Sequence, residues 1–160
     1  MRIQFTPPME CLLVKKLPDG PDWVYELKLD GYRAQAVRGA DGVRLLSRNG
    51  KDLSKRFPGV VSALTDALLP NTVVDGELVA MDADNRSSFQ ALQNAQPDTP
   101  VTFYAFDILM DHGQDVRALR LRDRLAHLDA AFHPNGDALL CENFPGPSSK
   151  FAAAVRQLGG

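Results

Sequence analysis

The stretch Trp23-Val24-Tyr25-Glu26-Leu27-Lys28-Leu29-Asp30-Gly31-Tyr32-Arg33 carries the clearest structural signal in the sequence. Apolar and polar residues alternate from Trp23 to Lys28, which predicts a strand with one face in the core. Asp30-Gly31 is typical of a turn, and the pattern from Tyr32 to Arg38 predicts a second strand. Together with a third strand predicted at Val43 to Ser47, these segments predict an antiparallel meander.

Helix and strand patterns alternate through the rest of the chain. Apolar residues at helical spacing predict a helix over Phe57 to Leu69 and another that carries Leu121, Leu125, Leu128 and Phe132. The remaining predicted elements are strands at Thr72 to Met81, Val101 to Leu109 and Ala138 to Phe144, a short helix around Phe89 to Leu92, a loop at Asp111 to Gln114 and a final helix over Ser148 to Leu158. This mixture predicts the α+β class, with antiparallel sheets and flanking helices.

The composition excludes several classes of protein. Of the 160 residues, 44% are hydrophobic and 24% are charged, as is usual for a soluble globular domain, and one domain is expected at this length. No apolar run has the length of a transmembrane helix, and the start lacks the apolar centre of a secretory signal. These features predict a cytoplasmic protein with no membrane partner. The formal charge of −2 argues against a globally basic surface for nucleic acid.

The polar face of the first predicted strand places Glu26, Lys28 and Asp30 side by side, with Arg33 just beyond the turn. One interpretation is a solvated face whose charges pair weakly across strands. The other is a nucleophilic lysine in a charged pocket. Because flanking carboxylates favour the ammonium form, a reactive Lys28 needs a nearby cation, which Mg²⁺ on a bound triphosphate could supply.

Several short motifs, in order along the chain, resemble those of one enzyme family. Lys28-Leu29-Asp30-Gly31-Tyr32-Arg33 resembles the K-x-D-G-x-R signature of the covalent nucleotidyltransferases, which include ATP-dependent DNA ligases, RNA ligases and mRNA capping enzymes. Three later motifs of that family have similar counterparts at Ser47-Arg48-Asn49-Gly50, Val74-Asp75-Gly76-Glu77-Leu78 and Phe103-Tyr104-Ala105-Phe106-Asp107-Ile108-Leu109. The segments Thr6-Pro7-Pro8-Met9 and Ser88-Phe89-Gln90-Ala91-Leu92-Gln93 resemble the ligase module of bacterial end-joining ligases.

The resemblance implies a partial ATP-grasp-like nucleotidyltransferase fold over residues 1–160, the adenylation domain of an ATP-dependent DNA ligase. Lys28 would then attack the α-phosphorus of ATP and form lysyl-AMP, the first step in sealing nicked or broken double-stranded DNA during repair and recombination. Asp30 would orient the lysine or help to hold Mg²⁺. Arg33 and Arg48 would hold the ribose or the phosphates, since guanidinium groups match phosphate oxygens.

The resemblance also implies roles for three further residues. Glu77 would bind a ribose hydroxyl or the Mg²⁺ ion, and Phe106 would stack on adenine. Glu26 would lie near the adenine. Each has a structural alternative: a solvated carboxylate for Glu77, an ordinary core aromatic for Phe106 and an exposed charge for Glu26.

The family's later motifs and its OB-fold domain have no counterpart up to Gly160. The leading prediction is therefore a C-terminally truncated ligase domain, with other end-joining or repair proteins as partners, that does not seal nicks efficiently alone. Two alternatives stay open. One is a related RNA ligase or capping-type nucleotidyltransferase, and the other is a catalytically incomplete remnant that binds nucleotide or a partner protein.

Two groups of basic residues receive no catalytic role. The cluster Arg117, Arg120, Arg122 and Arg124 lies at helical spacing, which favours a solvated face over a DNA contact. The three histidines, His112, His127 and His133, show neither metal-ligand nor catalytic-triad spacing.

Overall fold

The computed structural model describes residues 4–157, which divide into two compact units. Within that range the larger unit contains residues 4–8 and 29–140, and the smaller unit contains residues 9–28 and 141–157. In chain order the elements are β1 (Val24–Tyr25), β2 (Tyr32–Gly39), β3 (Gly42–Ser47), α1 (Pro58–Ala67), β4 (Thr72–Ala80), α2 (Phe89–Gln93), β5 (Val101–Asp111), β6 (Gln114–Asp115), α3 (Leu121–Ala131), β7 (Ala138–Leu140), β8 (Phe144–Pro145) and α4 (Ser148–Gln157).

The larger unit is built on a six-stranded sheet in the order β3-β2-β4-β5-β6, with β7 added in parallel beside β5. All other neighbours in this sheet are antiparallel. One face of the sheet packs against α1, α2 and α3 to form the main core. Members of this core include Ala34, Ala36, Leu64, Val74, Leu78, Leu92, Phe103, Leu128 and Phe132. The mixture of antiparallel strands and helices confirms the predicted α+β class.

The helices follow from local signals in the sequence. Pro58 occupies the first turn of α1, where its missing N–H costs no hydrogen bond, and the apolar residues of α1 face the core. Ser88 caps α2, because its side chain accepts a hydrogen bond from the backbone N–H of Ala91 at 3.1 Å. The guanidinium of Arg38 donates to the carbonyl oxygens of Thr65 and Leu68 and so satisfies the end of α1.

A β-bulge in β5 changes which residues face the core. Asp75 pairs with Asp107 and Gly76 pairs with Ala105, so Phe106 has no partner on β4. Ala105 and Ile108 are therefore both buried, although strict alternation would not allow it. Gly76 permits the close approach of β4 and β5 at this point, because a Cβ there would lie 2.5 Å from the carbonyl oxygen of Tyr104.

The smaller unit consists of an antiparallel pair, β1 with β8, and the helix α4. Tyr25 is its buried residue, and its ring stacks on Phe151 with ring centroids 5.2 Å apart. The Tyr25 hydroxyl donates to the carbonyl oxygen of Pro18 at 2.6 Å. Asp19 accepts a hydrogen bond from the backbone N–H of Ser148 at 2.8 Å, which lowers the pKa of Asp19 and satisfies the start of α4.

The predicted first strand is wrong in length and in partner. Only Val24–Tyr25 is a strand, and it pairs with Phe144–Pro145 rather than with β2. The predicted meander is thus reduced to the β2–β3 hairpin. Trp23, assigned to the apolar face, is 50% exposed. Alternation identifies the inward side of a strand but not its partner, which depends on residues far along the chain.

Two other predicted elements differ from the structure. The predicted loop at Asp111 to Gln114 is a tight hairpin between β5 and β6, with positive φ angles of 49° at His112 and 85° at Gly113. The predicted strand Ala138 to Phe144 is two separate strands, β7 in the larger unit and β8 in the smaller. The remaining predicted helices and strands are present, with ends that differ by a few residues. Leu158, the predicted end of the final helix, lies outside the described residues. Among the described residues, no helix is long and apolar enough to cross a membrane.

We predict that Gly76→Ala destabilises the protein by about 3 kcal/mol, the upper end of the usual overpacking cost, because the new methyl group meets backbone and an aromatic ring. Gly39→Ala is the matched control, since a Cβ at Gly39 has nothing within 4 Å. It should change the free energy of unfolding by less than about 0.5 kcal/mol. Urea unfolding of both variants measures the difference, and equal stabilities would contradict the close approach at the bulge.

Candidate functional site

The face of the large sheet opposite the helices brings several predicted site residues together. Arg33 and Glu77 are directly opposite each other on β2 and β4, and Gln35 is opposite Asp75 in the same way. Phe106 joins them because the bulge removes it from the regular pairing of β5. We refer to Arg33, Gln35, Asp75, Glu77 and Phe106 as the site face.

Arg33 and Asp75 form a bidentate ion pair across β2 and β4. Arg33 Nε donates to Asp75 Oδ1 at 3.2 Å, and a terminal nitrogen of Arg33 donates to Asp75 Oδ2 at 2.7 Å. The side chain of Asp75 is 4% exposed and that of Arg33 is 23% exposed. A carboxylate at this depth is stable only with such a partner. One edge of the guanidinium is therefore committed to the protein rather than to a phosphate.

The same guanidinium packs against the ring of Phe106, with Arg33 Cζ 5.1 Å from the ring centroid. A cation over an aromatic face is attracted by the ring's quadrupole, with about 0.5 to 2 kcal/mol per contact. Phe106 is half-buried and lies outside both apolar clusters of the described residues. The plain-core interpretation of Phe106 is therefore wrong, while its role towards adenine stays a prediction.

A second ion pair lies next to the first. Asp107 is the β5 neighbour of Asp75, and its carboxylate receives Arg124 Nε at 2.8 Å and a second Arg124 nitrogen at 3.2 Å. Burial raises the pKa of Asp75, and the adjacent Asp107 raises it further, while Arg33 acts in the opposite direction. Arg124 was assigned to a solvated face, which is wrong: its side chain is only 15% exposed and fastens α3 to β5.

Two further predicted residues, Glu77 and Arg48, also belong to the larger unit. Glu77 is half-buried in β4, opposite Arg33 on one side and Tyr104 on the other. Arg48 is exposed in the turn after β3, where the Gly50 N–H donates to the carbonyl oxygen of Ser47 at 2.9 Å. Gly50 has a φ of 80°, in the left-handed region that favours glycine in a tight turn.

Asp30 and Gly31 lie just before β2. The Asp30 carboxylate accepts a hydrogen bond from the Phe89 backbone N–H at 3.1 Å. Gly31 was predicted to serve a tight turn, but its φ is not in the left-handed region, and the reason for glycine is contact. A Cβ at Gly31 would overlap the carbonyl oxygen of Leu78. Glycine is needed here because β2 begins directly against the backbone of β4.

Glu26 and Lys28 belong to the smaller unit, whereas Asp30, Arg33, Arg48, Glu77 and Phe106 belong to the larger one. Both Glu26 and Lys28 are exposed and follow the end of β1 in a segment without regular structure. The prediction that Glu26, Lys28 and Asp30 share one face of a strand is therefore wrong. Their catalytic and binding roles stay predictions.

Sequence reasoning missed Gln35, which is 2% exposed in the middle of β2. Its side-chain oxygen accepts the Thr6 N–H at 3.1 Å, and its amide group donates to the Thr6 carbonyl oxygen. This pair of bonds fastens the start of the chain to the site face. The available signal was a polar residue inside the apolar run of β2, because a buried amide needs hydrogen-bond partners.

Two histidines of the larger unit contact the same carboxylate. His112 Nδ1 and His127 Nδ1 lie 2.5 Å and 2.6 Å from the two carboxylate oxygens of Asp111. These contacts connect the β5–β6 hairpin to α3. Within residues 4–157, no group of three or more His, Cys, Asp or Glu side chains is arranged to hold a metal ion.

Comparison with known proteins gives consistent matches. The model of the ATP dependent DNA ligase domain matches residues 9–153. The multifunctional non-homologous end joining protein LigD of Pseudomonas aeruginosa is 44% identical over 122 residues, which cover 74% of this chain and 14% of that protein. DNA ligase C of Mycobacterium tuberculosis is 31% identical over 169 residues, which cover 98% of this chain and 47% of that protein.

Two solved structures are also similar. The ligase domain of M. tuberculosis LigD is 33% identical with a TM-score of 0.70, over 86% of this chain and 45% of that one. A mycobacterial DNA ligase D complexed with ATP and MES is 32% identical with a TM-score of 0.67, over 85% of this chain and 44% of that one. The chain thus spans less than half the length of each of these four proteins.

The raised pKa of Asp75 predicts a specific dependence of stability on pH. The carboxyl group of Asp75 holds its proton more tightly in the native state than in the unfolded chain, where its pKa is about 3.8. The stabilisation by that proton is complete below the unfolded pKa and is lost as the pH rises through the native pKa. The stability advantage of the wild type over Asp75→Asn should therefore shrink as the pH rises above the unfolded value of about 3.8.

Asp115→Asn provides a control of opposite sign. Arg117 lowers the pKa of Asp115 to about 2, so the wild-type advantage over Asp115→Asn should shrink as the pH falls below the ordinary value of 3.8. Urea unfolding at each pH measures both series. A wild-type advantage over Asp75→Asn that grows with pH would show that the ion pair outweighs burial.

Proposed function

The chain belongs to the ATP-dependent DNA ligase domain family, and we propose that it binds ATP and transfers AMP to Lys28. The observation that carries this proposal is the site face, where Arg33, Glu77 and Phe106 come together from three different motifs of the sequence. A charged, partly buried sheet surface with an aromatic ring outside the core is suited to a nucleotide. The named relatives favour a DNA ligase over an RNA ligase or capping enzyme.

In the proposed reaction, the neutral amine of Lys28 attacks the α-phosphorus of ATP. A bond between Nζ and phosphorus forms, the bond from phosphorus to the bridging oxygen breaks, and pyrophosphate leaves. The attacking nitrogen loses one proton to solvent and keeps the other as the N–H of the phosphoramidate. Negative charge on the phosphate oxygens needs fixed cations, a task suited to the guanidinium groups of Arg48 and Arg33.

Phe106 provides a flat surface for the adenine base. Arg33 lies over one face of the ring, and an adenine stacked on the other face would complete a layered arrangement. Glu77 lies beside Arg33 on the sheet and would accept a ribose hydroxyl hydrogen or bind Mg²⁺. Glu26, close to Lys28 in sequence, is proposed to lie near the base.

Mg²⁺ is compatible with this set of residues. The ion usually takes one or two carboxylates together with substrate phosphates and water rather than a cage of protein ligands. Glu77 would contribute a carboxylate, and when bound the ion would reduce the repulsion between phosphate oxygens and the incoming amine.

We further propose nicked or broken double-stranded DNA as the acceptor of the AMP group, in repair and recombination. The named relatives that act in non-homologous end joining support this substrate and suggest other end-joining proteins as partners. A cytoplasmic location is part of the same proposal.

We predict that incubation with α-labelled ATP and Mg²⁺ places label on the protein through Lys28, as seen on a denaturing gel. Lys28→Ala should remove the label, and Lys28→Arg should remove it too, because guanidinium stays protonated at any working pH. Lys55→Ala is the control, since Lys55 is an exposed lysine outside the motifs and should leave the label intact. Label that persists in Lys28→Ala would disprove the assignment.

A separate prediction concerns the base platform. Phe106→Leu keeps an apolar side chain but removes the aromatic face, so ATP affinity should fall by about 1 to 3 kcal/mol, the range for base–aromatic stacking. Isothermal titration with ATP measures the change, and urea unfolding checks that the variant is folded. Phe5→Leu is the control because Phe5 packs in the smaller apolar cluster. Equal affinity in wild type and Phe106→Leu would exclude the stacking role.

A further inference from the structure

Asp30 is held from both sides by the segment that leads into α2. Its backbone N–H donates to Ser87 Oγ at 3.0 Å, and its carboxylate Oδ2 accepts the Phe89 N–H at 3.1 Å. The two bonds run in opposite directions between segments more than fifty residues apart. We call Asp30, Ser87 and Phe89 the Asp30 clasp.

The α2 side of the clasp is fixed to the sheet. Ser87 forms an isolated β-bridge with Met81, and the Ser88 N–H donates to the carbonyl oxygen of Ala80 at 2.9 Å. Ser88 also caps α2 through its side chain. The segment from Ser87 to Phe89 is therefore a rigid extension of β4, so it can hold a partner in place.

Neighbouring contacts reinforce the clasp. The ring of Tyr32 meets that of Phe89 edge-on, with centroids 5.1 Å apart. Arg56 lies 5.5 Å from the Tyr32 centroid and donates to the carbonyl oxygens of Leu92 and Gln93 at 3.2 and 3.0 Å. The residues directly after Lys28 are thus tied to β4 and to both ends of α2, although α2 has only five residues.

We propose that Ser87 is a positioning residue for lysine adenylation, acting through the Asp30 clasp on the backbone that follows Lys28. The inference rests on the proposed function. Attack on phosphorus requires the amine close to the α-phosphate and in line with the leaving oxygen, so restricting the nearby backbone raises the rate. Asp30 acts here as a hydrogen-bond acceptor for α2, and its role is one of position rather than of Mg²⁺ binding.

The test uses the full chain and measures lysyl-AMP formation in a single turnover at a series of ATP concentrations. Ser87→Ala should lower the maximal rate by about 10- to 100-fold, the range for a misplaced reacting group, and Ser87→Thr should restore it. The ATP concentration for half-maximal rate should change by less than about twofold, because binding contacts are intact. Ser62→Ala, an exposed serine on α1, is the control.

A second pair of variants separates the clasp from metal binding. Asp30→Asn keeps an oxygen acceptor for the Phe89 N–H, whereas Asp30→Ala does not. Asp30→Asn should therefore react at least about tenfold faster than Asp30→Ala, with an unchanged dependence on Mg²⁺ concentration. Equal rates in the two variants, or a Ser87→Ala rate equal to that of Ser62→Ala, would overturn the proposal.

Failure of the proposed function gives a different result. If the wild type forms no lysyl-AMP, the adenylation proposal is wrong. Amide hydrogen exchange then tests separately whether Ser87 restrains the backbone of Asp30. Exchange of the Asp30 N–H, which donates to Ser87 Oγ, should be at least about tenfold faster in Ser87→Ala than in Ser62→Ala. Identical exchange in these two variants would show that Ser87 does not restrain this segment.

Discussion

The ion pair between Arg33 and Asp75 is the interaction on which the site face depends. Asp75 is almost completely buried, and a carboxylate in that position without its partner would be costly by several kcal/mol. The pair fixes the guanidinium, and the fixed guanidinium in turn lies against Phe106. A change in either charged residue would therefore disturb strand packing and the aromatic surface together.

Because of the bulge at Phe106, one face of the sheet completes the core while the other face carries the site face. On its helix-facing side, Ala105 and Ile108 complete the core, and on the other side Phe106 and Asp107 become available to arginines. Gly76 makes this possible because its missing side chain admits the neighbouring strand. The core and the site face are thus linked through the backbone, so a substitution at Gly76 or Phe106 affects both.

The two units differ in how much apolar surface they bury. Among the described residues, Tyr25 is the one buried hydrophobic residue of the smaller unit, while the larger unit holds the two core clusters. Segments with few buried contacts open at low free energy cost. Lys28 belongs to the less stable unit, and Asp30, two residues later in the sequence, is held in the more stable one.

The sequence by itself determined the α+β class, the β2–β3 hairpin, most helices and strands and the motifs that carry Lys28, Arg33, Glu77 and Phe106. Local spacing encodes the class, the hairpin and these elements, because propensity and periodicity act over neighbouring residues. The motifs come instead from the resemblance to the covalent nucleotidyltransferases. Only the tertiary structure decided that β1 pairs with β8, that Arg33 is bound to Asp75, that Phe106 leaves the core and that Gly31 and Gly76 are required by contact. Each of these depends on residues distant in sequence, and a single strand's pattern contains no information about which distant residue it meets.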